Sequence, residues 1–290
     1  MSKPTNPVSV SDSRTRLALV TGASSGIGQA FARRLGAAGY NLVVVGRRRD
    51  RLQELVAAFP GVEVRPLVAD LGTDAGVEAV AEVCEREALT MLVNNAGVAH
   101  YMPFTGLPAS KASELLHVKV VAPTMLARAA APGMAARGCG TIINLSGMLA
   151  FGGPVPLGKA PGRAVYVATL AYIVALSQAL HEELKSQGLR IQALCPGTVA
   201  TEFHERQGMD LSAIPRMSAE DVVSASLQGL TLGEVVCAPG VDLCSRSRRV
   251  RPACRGVPSR SRGVRRTSSA AREALPHVVK TSAHANIWPR

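Results

Sequence analysis

Cysteine is scarce in this chain: six in 290 residues, at positions 84, 139, 195, 237, 244 and 254. That is too few for a disulfide scaffold, and the spacings miss the paired short loops of a zinc site. A reducing, cytoplasmic setting is the default expectation. Aromatic residues are also thin, at 3%. No uninterrupted apolar stretch approaches the ~20 residues of a membrane helix, so no membrane role is expected. The first fifteen residues, MSKPTNPVSVSDSRT, lack the apolar middle of a secretory signal and read as a flexible N-terminal segment. What the chain does have is 47% apolar against 19% charged residues, a globular balance with enough material for a substantial core. It also carries a net charge of +12, which invites a nucleic-acid reading.

The location of that charge settles its weight. Residues 243–290 hold eleven Arg and one Lys (Lys280) against one acid, Glu273, a net of +11. The remaining 21 basic and 20 acidic side chains leave residues 1–242 at +1. The tail is rich in Arg, Ser and Pro, sustains no helical or strand period, and has no aromatic residue except Trp288 to stack on a base. It is read as an irregular basic tail, 243–290, with three readings open: a disordered appendage, a binding arm for nucleic acid, or an out-of-frame extension. Basic runs alone are non-specific, and no nucleic-acid partner is expected of the body.

From Arg16 the pattern alternates. Apolar runs at Leu17–Val20, Asn41–Val45, Val62–Val68, Leu92–Val93, Thr141–Leu145, Leu189–Leu194 and Val235–Ala238 predict strands. Between them, residues 26–39, Asp50–Phe59, Thr73–Glu87, Ser110–Arg137, Ala164–Ser186 and Ala219–Thr231 carry helical spacing. Apolar strands alternating with amphipathic helices imply an α/β fold, a doubly wound parallel sheet in a single domain over 16–242.

After the first strand comes Thr21-Gly22-Ala23-Ser24-Ser25-Gly26-Ile27-Gly28. Glycines there let the backbone turn tightly and approach a pyrophosphate resting on the next helix's N-terminus. Alone such a loop is a weak signal; between strand one and helix one it is a strong one. An acid that would hold an adenosine ribose is expected about twenty residues on, at the end of strand two. The sequence there is Gly46-Arg47-Arg48-Arg49. Guanidinium groups at Arg47 and Arg48 suit a 2′-phosphate and favour NADP(H) over NAD(H); the alternative is a solvated basic loop.

The Thr-Gly-x-x-x-Gly-x-Gly turn resembles that of the short-chain dehydrogenase/reductase family. Asp70 in Ala69-Asp70-Leu71 resembles the family's adenine contact. Asn94-Asn95-Ala96-Gly97 is similar to its sheet-stabilising motif after strand four. Pro196-Gly197-Thr198-Val199, with Thr201 beyond, is similar to the loop holding the nicotinamide carboxamide. The likeness runs in order from Arg16 to Asp242. It implies a Rossmann fold and a cofactor site drawn from Thr21, Gly22, Ser24, Ser25, Gly26, Ile27, Gly28, Arg47, Arg48, Asp70, Leu71, Asn95, Ala96, Gly97, Tyr166, Pro196, Gly197, Val199 and Thr201.

The same resemblance implies a catalytic set. In the family a Tyr exchanges a proton while hydride moves between nicotinamide and a carbonyl carbon. A Lys four residues later lowers that Tyr's pKa, a Ser orients the substrate oxygen, and an Asn completes a proton relay. A phenol of pKa near ~10 needs a nearby cation to work at neutral pH. Here Tyr166 matches, but Leu170 takes the Lys position, Gly147 the Ser position and Lys119 the Asn position. Losing the activating cation costs ~10²–10⁴ in rate, and losing an oxygen-directed donor ~10²–10³. Little ordinary ketone-reductase activity is expected. Two substitutes are conceivable: Lys119 supplying the missing cation from the neighbouring helix, and Ser146, one residue early, turned inward by a local bulge. Leu170 also has a plain packing role, in line with Ile173, Val174 and Leu180.

Tyr101, Phe104, Phe151, Phe203 and His204 fall in loops expected to wall a substrate cleft, which suggests a small apolar carbonyl or alcohol substrate; core packing is the alternative for each. His100 and His204 lack a third ligand at metal spacing, so no metal is expected, and His117 reads as a helix-surface residue. The expected function is NADP(H)-dependent oxidoreduction by hydride transfer in an impaired site; a non-catalytic dinucleotide-binding scaffold is the alternative. The resemblance also implies a homo-oligomer.

Overall fold

Seven short apolar runs become seven strands: β1 (Leu17–Thr21), β2 (Asn41–Gly46), β3 (Val64–Val68), β4 (Met91–Asn94), β5 (Gly140–Leu145), β6 (Leu189–Leu194) and β7 (Val236–Cys237). The computed structural model describes residues 16–152, 162–211 and 213–240. The expected flexible segment 1–15 and basic tail 243–290 lie outside the described residues. Every strand pair is parallel, in the order β3-β2-β1-β4-β5-β6-β7. The chain therefore winds outward from β1 in one direction, returns to β4, and winds outward in the other. That reversal opens a crevice at the carboxyl ends of β1 and β4, where doubly wound sheets bind ligands.

Helices cover both faces: α1 (Gly26–Ala37), α2 (Arg49–Ala58), α3 (Asp74–Arg86), α4 (Ala109–Leu116), α5 (Ala122–Ala136), α6 (Ala164–Leu184), α7 (Glu202–Glu205) and α8 (Ala219–Leu232). One apolar cluster joins α1, α2 and α8 to the sheet through Phe31, Leu52 and Val222. The opposite cluster joins α3 and α5 through Val80 and Leu126. Strand residues alternate between the two, which is why the strands read as continuous apolar runs rather than as alternating ones. Thr73 caps α3 by accepting from the Gly76 amide at 3.1 Å, and Ser218 caps α8 by accepting from Asp221 at 3.0 Å.

Three expectations need correction. Residues 110–137 are not one regular helix: α4 passes into a π-helical turn, His117–Val121, before α5 begins. Pro123 explains it, because it has no N–H to give the Lys119 carbonyl four residues earlier. Second, α7 was not anticipated; it is a single turn capped by Thr201, whose oxygen accepts from the Phe203 amide at 3.4 Å. Third, among the described residues one segment, Ala164–Gln187, is long and apolar enough to cross a membrane by length and composition, although it is not an uninterrupted apolar run. Its Tyr, Thr and Ser residues interrupt a count of consecutive apolar positions without making the helix polar. Two of those hydroxyls satisfy themselves on the helix backbone, Thr169 on the Tyr166 carbonyl and Ser177 on that of Ile173.

Candidate active site

The β1–α1 turn is shaped by close approach. Gly22 and Gly26 have φ of +65° and +55°, the left-handed region glycine tolerates. At Gly28 an added Cβ would lie 2.4 Å from the Gly22 carbonyl oxygen, so α1 can rest on the turn only without a side chain there. Thr21 and Asn95 lock this turn to the end of β4. The Thr21 hydroxyl accepts from the Asn95 and Ala96 amides at 2.9 and 3.0 Å, and the Asn95 side-chain amide donates to the Thr21 carbonyl at 2.9 Å. Thr21 and Gly28 thus stand behind the site rather than on its surface.

The two central arginines of the β2–α2 loop divide the work. Arg48 donates to the Ser24 carbonyl at 2.9 Å and to its hydroxyl at 3.3 Å, and pairs with Glu202 at 3.4 Å. Arg48 therefore ties the Gly-rich turn to the β2–α2 loop and to α7. Burial opposes ionisation of Glu202, but Arg206 and Arg48 hold its carboxyl below the usual range. Arg47 is 60% exposed and loosely faces Asp70 at 3.9 Å, leaving its guanidinium open to an incoming anion. Asp70 uses its other carboxylate oxygen to accept from the Gly72 amide at 3.0 Å, which fixes the turn after β3.

These loops and the catalytic-end residues surround one cavity of about 750 Å³. Every residue predicted for the cofactor site and the catalytic set lines it except Thr21 and Gly28. Its size and its glycine cradle fit an extended dinucleotide with room for a small substrate, and Gly197 has no atom within 4 Å of where a side chain would grow. Gly22, Ser24, Ser25, Gly26 and Ile27 would hold the phosphates. Arg47, Asp70 and Leu71 would face the adenosine end, and Asn95 to Gly97 with Pro196 to Thr201 the nicotinamide end.

At that far end Tyr166 sits within an aromatic group. Its ring meets Tyr101 edge-on at 5.4 Å and Phe203 at 6.5 Å, while Phe203 packs against His204 at 5.4 Å. Burial, then the neighbouring Tyr101 phenol, pushes Tyr166 well above the ordinary tyrosine range, so it is a neutral acid. His204 is pulled down by burial and Arg216, and its Nδ1 is buried without a partner among the described residues. Of the five expected cleft residues, Tyr101, Phe203 and His204 line the cavity. Phe104 and Phe151 do not: both sit on exposed 3₁₀ turns, 70% and 53% accessible.

Ser146 does not present a free hydroxyl. Its Oγ donates to the Leu170 carbonyl at 2.8 Å, so its proton points into α6 and not toward Tyr166. The backbone at Gly147 is extended, with no bulge to reverse this. A side chain at Gly147 would meet Leu170 Cδ1 at 3.5 Å and the Pro196 oxygen at 3.7 Å, both ordinary contacts, so a serine fits there. Leu170 is 1% exposed and packs with Ala99, Leu115 and Tyr166.

Lys119 rides on the π turn and reaches the same end of the cavity. Its Nζ lies over the Tyr166 ring, 5.6 Å from the centroid, and close to Gly97, where an added Cβ would be 3.0 Å away. The residue is 5% exposed, and burial pulls its ammonium down to about 8. No carboxylate pairs with it among the described residues. His117, on the same turn, bonds Asp74 at 2.8 Å, and His100 bonds Glu114 at 2.8 Å; each is a bridge between elements rather than a ligand.

A buried polar chain stiffens the centre of the sheet beneath this end. Asn94 donates to the Asn144 oxygen at 2.9 Å, and Asn144 donates to the Ser177 hydroxyl at 3.0 Å, tying β4, β5 and α6. Of this chain, sequence reasoning named Asn94 in the sheet-stabilising motif but missed the partners Asn144 and Ser177; it also missed Glu202 on α7 and Arg206 just after it, which line the cavity. Glu202 next to Thr201 was the available signal, a cap followed by an acid.

Comparison with known proteins agrees with this geometry. The sequence model of the family described as "short chain dehydrogenase" matches residues 16–211. A mouse (Mus musculus) very-long-chain 3-oxoacyl-CoA reductase is 32% identical over 225 residues, 74% of this chain and 68% of that protein. A short-chain dehydrogenase from Sphingobium yanoikuyae, solved in complex with NADPH, superposes with a TM-score of 0.75 at 32% identity, covering 83% of this chain and all (100%) of that one. The bulky-bulky ketone specific alcohol dehydrogenase from Comamonas testosteroni gives a TM-score of 0.70 at 30% identity, covering 81% and 90% of the two chains. The chain belongs to the short-chain dehydrogenase family.

Proposed function

We propose that this protein binds NADP(H) and acts on a small apolar carbonyl or alcohol compound, with hydride transfer slowed by the replaced catalytic groups. The observation that carries the reading is the cavity's two ends: a glycine cradle flanked by the open Arg47, and a neutral Tyr166 facing Leu170 and Gly147 in place of a cation and a hydroxyl. The bound cofactor supplies hydride to a carbonyl carbon, or accepts it from an alcohol. The Gly22–Ile27 turn binds and orients the phosphates, and Arg47 sets the preference for a 2′-phosphate. Tyr101, Phe203 and His204 exclude water and select an apolar substrate face. Tyr166 holds a proton it can donate toward a carbonyl oxygen, and a raised pKa makes it a slow base for the reverse direction. Lys119 stands over the ring, where its ammonium is attracted by the quadrupole of the ring face.

A second reading, a dinucleotide-binding scaffold without turnover, is favoured by the committed Ser146 proton. Titration of the protein with NADPH and NADH tests the shared half of both readings. NADPH is expected to bind at least ~10-fold more tightly, and Arg47→Ala to remove that margin while sparing NADH. Arg48→Ala is expected to weaken both dinucleotides, because it releases the Ser24 turn. Equal affinity of the native chain for the two cofactors contradicts the assignment of Arg47. Carbonyl-dependent oxidation of NADPH, measurable but slow, separates the oxidoreductase from the scaffold.

A further inference from the structure

A buried lysine with no anion beside it is an unusual thing to leave in a binding cavity. Lys119 lines the cavity, has no hydrogen bond or ion pair among the described residues, and is enclosed by the Tyr166 ring, Gly97 and Val118. Lys119 sits on the π turn beside Val118, and both residues are buried. The proposed function assigns no step to an amine at this place.

We propose that Lys119 is a nucleophilic amine that condenses with aldehydes or unhindered ketones entering the cavity, forming an imine. The nitrogen lone pair adds to the carbonyl carbon, and the C=O π pair moves onto oxygen. That oxygen takes a proton from an acid of the site, and the nitrogen gives one up, leaving a neutral carbinolamine. A second protonation of the hydroxyl releases water as the nitrogen lone pair forms the C=N bond, and loss of the remaining N–H proton restores the acid. The balance is amine plus carbonyl giving imine plus water, with no oxidant or reductant. Tyr166 is such an acid: its phenol stays protonated at neutral pH, and Nζ lies over its ring, 5.6 Å from the centroid. With a pKa lowered to about 8, roughly one Lys119 in ten is uncharged at pH 7, against about one in a few thousand for an ordinary lysine. Desolvation of a lysine in an apolar pocket is a known route to such reactivity. The inference rests on the cavity and on Lys119, and stands whether or not hydride transfer occurs.

The full chain is incubated at pH 7 with hexanal and cyanoborohydride, which reduces an imine to a stable secondary amine, and the modified lysines are located by peptide mass mapping. Lys119 is expected to be labelled at least ~10-fold faster than the surface lysines Lys111 and Lys185. Labelling of Lys119 at or below the rate of Lys111 overturns the proposal, and this comparison needs no variant. A folded Lys119→Met chain is expected to lose the fast phase alone; retention of that phase also overturns it.

Discussion

An ammonium group gives up most of its hydration when it is buried, and Lys119 receives no carboxylate in return. The cost can be read from its titration. The folded-state pKa of about 8 lies below the unfolded value near 10.4, so the unfolded chain binds more protons between those limits. Stability therefore rises with pH across that window, and the penalty is fully present below pH 8. Lys119→Met is expected to stabilise the protein by ~3 kcal/mol at pH 7, the advantage shrinking as pH climbs from 8 toward 10. Urea unfolding midpoints at pH 7 and pH 9.5 check this, and a pH-independent difference contradicts it. At this scale the sequence was informative about identity and silent about direction. It showed Lys119, Leu170 and Gly147 out of pattern, but which way Ser146 turns depends on the Leu170 carbonyl, a backbone atom 24 residues away.

Elements position these residues by close approach and shared hydrogen bonds. Gly28→Ala places a methyl against the Gly22 carbonyl and the Asn95 amide, both of which are held by the β1–β4 junction and cannot retreat. It is expected to abolish measurable NADPH binding, read by titration, while secondary structure by circular dichroism is retained; unchanged affinity would show that α1 is not seated on the turn. Ser177→Ala removes the acceptor at the end of the Asn94–Asn144–Ser177 chain and leaves a buried Asn144 N–H unsatisfied. A loss of ~1–3 kcal/mol in urea unfolding is expected. The Gly-rich turn was legible because spacing between a strand and a helix carries its meaning. The π turn was not, although Pro123 held the clue: a proline acts on the carbonyl four residues before it, and a periodicity scan sees only side chains.

For the whole molecule, the alternation of strands and helices was enough to give a doubly wound parallel sheet, and the reversal between β1 and β4 places every loop of the site at one end. Of the net charge of +12, residues 1–242 carry only +1. Leu116, Met125 and Tyr172 on the neighbouring helices α4, α5 and α6 are exposed large apolar side chains. We propose that the glycine-cradled cofactor end adjoins a catalytic end where Leu170, Gly147 and Lys119 replace the Lys, Ser and Asn that the family resemblance implies, and that these replacements limit the chemistry. It is tested most directly by steady-state NADPH oxidation with a panel of carbonyl compounds, comparing the native chain with Gly147→Ser/Leu170→Lys/Lys119→Asn. The last change keeps two ammonium groups from sharing one pocket. The restored chain is expected to turn over at least ~100-fold faster at unchanged NADPH affinity. Equal turnover in a correctly folded restored chain would contradict the account.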